Sequence, residues 1–205
     1  MSARVSIIDY DTGNIFSMAS AVRRLGHEAE LVNTPEQIAN SDYLVLPGVG
    51  AFGAAMRKLG DRGLIEPIRQ FQAQGRPMLG VCLGLQLFFD SSEENGGVAG
   101  LGLMQGNVRR FPDTPGFKIP QIQWNQVSAT PGVRLFAGIE DKAFFYFVHS
   151  YYVTARDPAN VAGITEYCET SYCSAVEAGN LWGVQFHPEK SGNTGLRLLS
   201  NWLRR

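Results

Sequence analysis

Cysteine is scarce in this 205-residue sequence: Cys82, Cys168 and Cys173 are the whole set. Three thiols make no disulfide framework, so at least one is free and a reducing cytoplasm is the expected setting. Histidine is as sparse, with only His27, His149 and His187, and no cluster has the ligand spacing of a metal centre. An excess of charge is also lacking. Eighteen Lys and Arg stand against nineteen Asp and Glu, a formal net charge of -1, and the basic residues form no run beyond pairs such as Arg23-Arg24. That balance offers no footprint for a nucleic-acid backbone. Long apolar runs are missing too. Met78 to Phe89 is the longest near-apolar stretch and is interrupted by Gln86, well below the roughly 20 residues that span a bilayer. At the start, Val5, Ile7, Ile8 and Tyr10 are broken by Ser6 and Asp9, unlike the apolar region of about 7–15 residues in a signal peptide. Neither membrane insertion nor export is expected.

What remains is the composition of a folded globule: 44% hydrophobic residues, 18% charged, 23 Gly and 10 Pro. A chain of this size buries roughly 70% of its unfolded surface. Short apolar strands alternate with helical spacing in the first half: strands over Val5–Ile8, Ala29–Val32, Tyr43–Leu46 and Pro77–Val81, helices over Ile15–Leu25, Leu64–Gln74 and Leu83–Phe89. Alternation of this kind predicts a parallel sheet covered by helices. Beyond Gly96-Gly97 the runs are short and β-rich (Val108–Phe111, Ala143–Val148, Val161–Tyr167, Tyr172–Val176, Leu181–Gln185), followed by a helix near Asn193–Leu203. These predict strands added in mixed or antiparallel fashion. The expected architecture is therefore a single α/β domain: an open, mostly parallel sheet flanked by helices, with added antiparallel strands.

The segment Gly80-Val81-Cys82-Leu83-Gly84 joins the fourth strand to a helix. Glycines two residues either side of a nucleophile are the signature of a sharp strand-to-helix elbow, where neighbouring chains come too close for a Cβ. The helix start beneath Cys82 favours its thiolate. A base is needed, and His187 lies at the end of a strand that would deliver it to the same sheet edge, with Glu189 two residues on to orient its ring. His27 follows a helix end and is read as a surface or cap residue. Gly48, Gly50 and Gly53 match a dinucleotide fingerprint, but no acid follows at the end of the next strand. The run instead suits a loop whose N–H groups, around Val49 and Gly50, form an oxyanion hole with the Leu83 N–H.

Together, Gly80-Val81-Cys82-Leu83-Gly84-Leu85-Gln86 and His187-Pro188-Glu189 resemble the two signature sites of the class I glutamine amidotransferases. The resemblance runs over nearly the whole chain, so residues 1–205 are read as one domain of that type. More narrowly, Ile8-Asp9-Tyr10, Gly13-Asn14, Pro47-Gly48-Val49-Gly50, Trp124-Asn125, Phe147-Val148-His149-Ser150-Tyr151 and Pro188-Glu189-Lys190-Ser191 look like the family's glutaminase subunits of histidine biosynthesis. Asp11 and Gln121-Ile122-Gln123 depart from that pattern. The resemblance implies a Cys82-His187-Glu189 triad that hydrolyses glutamine through a thioester, with Gly50, Gln86, His149, Ser150 and Tyr151 binding the substrate. It also implies a heterodimer with a cyclase subunit of β/α-barrel fold, which consumes the ammonia. Asn14, Trp124, Tyr146 and Lys190 are the candidates for the face that meets it. No cofactor is implied. Val49 between two glycines can turn its peptide at little cost, so the oxyanion loop is expected to align only with ligand and partner. Three other readings stay open: a glutaminase subunit of another pathway, a stand-alone cysteine hydrolase of γ-glutamyl compounds, and a binding domain using Cys82 as a redox sensor.

Overall fold

The computed structural model describes residues 3–204. Its centre is a parallel sheet in the order β2 (Glu28–Val32), β1 (Arg4–Ile8), β3 (Tyr43–Leu46), β4 (Met78–Val81), β13 (Leu181–Val184). Alternating side chains divide this sheet between two cores. Val5, Ile7, Val45 and Leu79 face α1 (Ile15–Arg24) and α6 (Gly192–Leu203). Ile8, Leu44, Leu46 and Met78 face the layer of α3 (Phe52–Asp61) and α4 (Ile65–Ala73), with α2 (Pro35–Ala39) beside them. Two buried faces explain why these strands read as short continuous apolar runs. Each fully buried aliphatic or aromatic side chain contributes roughly 1.5–3 kcal/mol. Trp202 of α6, wholly buried, meets Tyr43 edge-on at 5.6 Å.

The second half extends the sheet with opposite polarity. β12 (Thr170–Ala178) runs antiparallel to β13 and also pairs with β10 (Tyr151–Ala155) and β11 (Val161–Tyr167). From β10 the sheet continues through β7 (Gly106–Arg110) to the short β5 (Ser91–Ser92) and β6 (Val98–Ala99). From β11 it continues through β8 (Gln121–Ala129) to β9 (Ala143–His149). The expected single α/β architecture with added antiparallel strands is what forms.

Departures from the sequence reading have local causes. α5 spans Leu83–Leu87, not Leu83–Phe89, because the Phe88 carbonyl turns to accept the Leu103 and Met104 N–H groups. α2 carries a single buried residue, Ile38, too few for a periodic signal, although Thr34 and Gln37 form a capping box around Pro35. In α3, Phe52, Ala55 and Leu59 are buried at helical spacing, although the sequence reading ended its glycine-rich run as a loop. β8 inverts the usual code: Ile122 and Trp124 point outward, at 59% and 51% exposure, while Gln121 is fully buried. Cys168 lies in the turn between β11 and β12 at φ 50°, and Cys173 lies within β12. All three cysteines are free. No described helix is long and apolar enough to cross a membrane.

Candidate functional site

The C-terminal ends of β4 and β13 lie side by side, in register at Gly80–Gly183 and Val81–Val184. Cys82 is the first residue past β4, with φ 55° and ψ -111°. Such a backbone costs about 1–3 kcal/mol and persists only where its surroundings dictate it. Here they do. The Cys82 N–H donates to the Val184 carbonyl at 2.8 Å, and its own carbonyl accepts from Gln86 at 3.3 Å. A Cβ on Gly84 would lie 1.8 Å from the Leu46 carbonyl oxygen, and one on Gly80 would strike the Phe88 ring at 2.6 Å. The elbow exists because both positions are glycine.

Three residues past the end of β13, His187 is anchored by its backbone: its N–H donates to the Tyr146 carbonyl at 2.9 Å and its carbonyl accepts from the Ser191 hydroxyl at 2.7 Å. Its Nδ1 meets Glu189 Oε1 at 2.8 Å, with both side chains almost completely buried. The opposite nitrogen, Nε2, is buried without a hydrogen-bond partner, which leaves it free for a proton in transit. Burial opposes charge on this ring, but the fields of Cys82 and Glu189 favour it and prevail, holding the pKa well above that of an ordinary imidazole. Asn14, a candidate for the partner face, turns its amide inward. Its Nδ2 donates to Glu189 Oε1 and lies 3.3 Å from His187 Nδ1. His27 stays outside the site and accepts the Ala3 N–H at 3.0 Å.

A cavity of about 250 Å³ opens beside the sulfur, lined by Val49, Gly50, Cys82, Leu83, Gln86, His149, Ser150 and Tyr151, and also by Glu94, Pro120 and Val148. Every oxyanion and substrate-binding candidate is therefore in one place. Gly50 has φ 96°, and Leu83 begins α5, so its N–H has no acceptor within the helix. The loop before Val49 is held from below, where the buried Tyr10 hydroxyl donates to the Pro47 carbonyl at 2.8 Å.

Polar contacts behind the cavity converge on the Tyr151 carbonyl. Gln86 Nε2 donates to it at 2.9 Å, and His149 Nδ1 lies 2.8 Å away. A carbonyl only accepts, so His149 carries its proton on Nδ1. Burial then lowers the His149 pKa to about 4, against the Tyr151 hydrogen bond and with help from the His187 charge. The unfolded chain takes up this proton near pH 6.5, while the fold resists it down to about pH 4. The associated stability is thus present above pH 6.5 and lost as pH falls towards 4. Melting temperature followed over that range should show the loss, and His149→Phe should flatten the slope.

Two polar residues of the site escaped sequence reading. Glu94 presents a carboxylate to the cavity and also accepts the Phe52 N–H at 2.6 Å. Gln185, fully buried, lies between Gln86 and the Cys82 sulfur. For Gln185 a signal existed: it is the first residue past β13, at the same sheet edge as His187 two residues on.

The remaining interface candidates lie outside the cavity. Trp124 and Tyr146 are register partners whose rings meet edge-on at 6.2 Å. Ile122, Trp124 and Phe144 share one outward face of β8 and β9, each more than half exposed, and Lys190 is exposed nearby in sequence to the triad. Of the departing positions, Asp11 pairs with Arg62 at the surface, while Gln121 is buried 3.0 Å from the Tyr172 hydroxyl. Among the described residues, no group of three or more His, Cys, Asp or Glu is placed to hold a metal ion.

Comparison with known proteins places this geometry in context. The family model described as glutamine amidotransferase class-I matches residues 6–205. The chain is 48% identical over 202 residues to a Symbiobacterium thermophilum protein named imidazole glycerol phosphate synthase subunit HisH, covering 98% of this chain and 94% of the relative. A Moorella thermoacetica protein of the same name is 47% identical over 198 residues, covering 97% and 93%. Among solved structures, PurLQS from Thermotoga maritima superimposes with a TM-score of 0.76 at 18% identity, covering 99% of this chain and 98% of that one.

Proposed function

The chain belongs to the class-I glutamine amidotransferase family, and on that premise we propose that it is the glutaminase subunit of an imidazole glycerol phosphate synthase, working in histidine biosynthesis. The observation that carries the chemistry is the buried pair of His187 and Glu189, electrostatically coupled to Cys82, which lines one polar cavity. In this reading the Cys82 thiolate attacks the side-chain amide carbon of glutamine. The oxyanion that forms is held by N–H groups of the Val49-Gly50 loop and Leu83, and His187, oriented by Glu189, protonates the departing nitrogen. Ammonia leaves a glutamyl thioester. Water deprotonated by His187 attacks it, and glutamate is released with the thiolate restored. Gln86, Ser150, Tyr151 and His149 hold the amino-acid portion, and Glu94 supplies the negative charge that an α-ammonium group calls for.

The ammonia has no acceptor site in this cavity, so a second subunit is part of the proposal. We assign it as a cyclase of β/α-barrel fold, docked on the face that carries Trp124, Tyr146 and Lys190, with Asn14 behind it reporting directly to Glu189. The outward apolar residues Ile122, Trp124 and Phe144 support that docking, since aromatic anchors dominate such contacts. A passage shielded from water keeps ammonia unprotonated and nucleophilic. The protein is proposed to act in the cytoplasm.

Glutamate release by the purified chain, alone and then with the cyclase and its nucleotide ligand, tests this. Aligning an oxyanion donor is worth about a hundredfold or more in rate, so the mixture should exceed the isolated chain by that factor. Equal rates would establish the stand-alone hydrolase instead, and Trp124→Ala should weaken the stimulation while leaving the isolated rate unchanged.

A further inference from the structure

We infer that Gln185 donates a hydrogen bond to the Cys82 sulfur and is a further residue of the nucleophile, held in that orientation by Gln86 and the Tyr151 carbonyl. This rests on Cys82 being the nucleophile. The distances form a chain: Tyr151 O to Gln86 Nε2 is 2.9 Å, Gln86 Nε2 to Gln185 Oε1 is 3.1 Å, and Gln185 Nε2 to Cys82 Sγ is 3.7 Å. An amide can be turned end for end, so the direction of such a chain needs a fixed point. The Tyr151 carbonyl supplies it. Because it can only accept, Gln86 must present its NH2 group there, and that same group reaches Gln185. Gln185 must then answer with its oxygen, which leaves its own NH2 group for the sulfur.

A donor aimed at a sulfur favours the charged form over the neutral one. The thiol's own proton has a different partner, the Val148 carbonyl at 3.8 Å. The two contacts thus serve the two states: the Val148 carbonyl accepts from the S–H, and the Gln185 amide donates to the S⁻. The charged or ionisable groups that act electrically on Cys82 are His187 and Tyr10, from the ends of β13 and β1 respectively. Neither changes when Gln185 is replaced. Gln185 itself is completely buried and makes no contact with solvent, so its amide acts in a medium where an N–H dipole counts for more than in water. The chain also joins a lining residue of the cavity to the attacking atom, with the NH2 group of Gln86 spent on Tyr151 and Gln185.

The test is the pH dependence of Cys82 alkylation by iodoacetamide, read by mass spectrometry of the Cys82 peptide. Wild type is compared with Gln185→Met, which keeps the length without a donor, and Gln185→Asn, which keeps the amide but withdraws it by one methylene. Melting curves accompany each protein, so that whichever variant folds gives the answer. The expected result is a rise of about one pH unit in the alkylation midpoint. Glutamine turnover should show a lowered kcat with KM little changed. An unmoved midpoint in a folded variant would reduce Gln185 to packing and overturn the proposal. The nucleophile reading is checked separately: wild-type protein alkylated at Cys82 should hydrolyse no glutamine, and retained hydrolysis would reject that reading wherever the midpoint lies.

Discussion

Cys82→Ala is expected to lower glutamate release, in the presence of the cyclase and its ligand, by at least about 10⁴-fold. No other group in the cavity can replace the sulfur. Ser150 and Tyr151 line the same space, but the electrostatic partner of His187 is Cys82. What survives is the contribution of the oxyanion donors and of binding, which falls well short of covalent catalysis. The fold should persist. The side chain removed is small, its backbone is held by Val184 and Gln86 whatever the side chain, and alanine accepts the same φ at a similar cost. Melting temperature and cyclase binding, measured beside turnover, should therefore stay close to wild type. Substantial turnover in the variant would remove Cys82 from the mechanism. Loss of cyclase binding would mean that the elbow itself shapes the docking face.

Gly84→Ala should do the reverse, damaging the fold first and activity as a consequence. Its Cβ would sit 1.8 Å from the Leu46 carbonyl oxygen and 2.7 Å from the carbonyl carbon. Those are backbone atoms of β3, which is locked between β1 and β4 in the middle of the sheet. No rotamer change relieves the clash, so either α5 lifts away or β3 shifts, and a cost above about 3 kcal/mol follows. Urea denaturation reads this directly. Gly63→Ala is the contrast: it has a positive φ, at 65°, which Gly84 does not, and nothing lies within 4 Å of the added carbon, so it should cost only the about 1–2 kcal/mol of a left-handed residue. A loss at Gly84 no larger than that at Gly63 would show that the close approach to Leu46 is relieved at little cost and is not what demands glycine there.

Both expectations grow from features that were legible before any coordinates. The elbow was readable because its constraint is local: a sharp turn and a close approach within five residues demand glycine at set positions around Cys82. His187 and Glu189 were readable because parallel strands deliver their C-terminal ends to one edge, and a carboxylate two residues beyond the histidine is close enough along the chain to reach its ring. The two buried faces of the central sheet wrote themselves into short apolar runs such as Tyr43–Leu46 and Met78–Val81.

Other parts of the site had no local signature to read. Asn14 lies 175 residues from Glu189, and the helix cap it forms gives no hint of the carboxylate it binds. Glu94 sits in a short irregular turn, and only the return of the chain to α3 brings it to the cavity. The start of β8 does not read as a half-buried strand because Ile122 and Trp124 face outward, where the proposed second subunit would cover them, while Gln121 is buried. The sequence by itself therefore determined the fold class and the elbow, consequences of sterics and periodicity acting over a few residues, and pointed to the proposed order of nucleophile, base and orienter. The tertiary structure alone decided which amides and carbonyls surround them. A hydrogen bond such as Gln185 to Cys82 joins residues 103 positions apart, and a distance of that kind exists only once the sheet has closed.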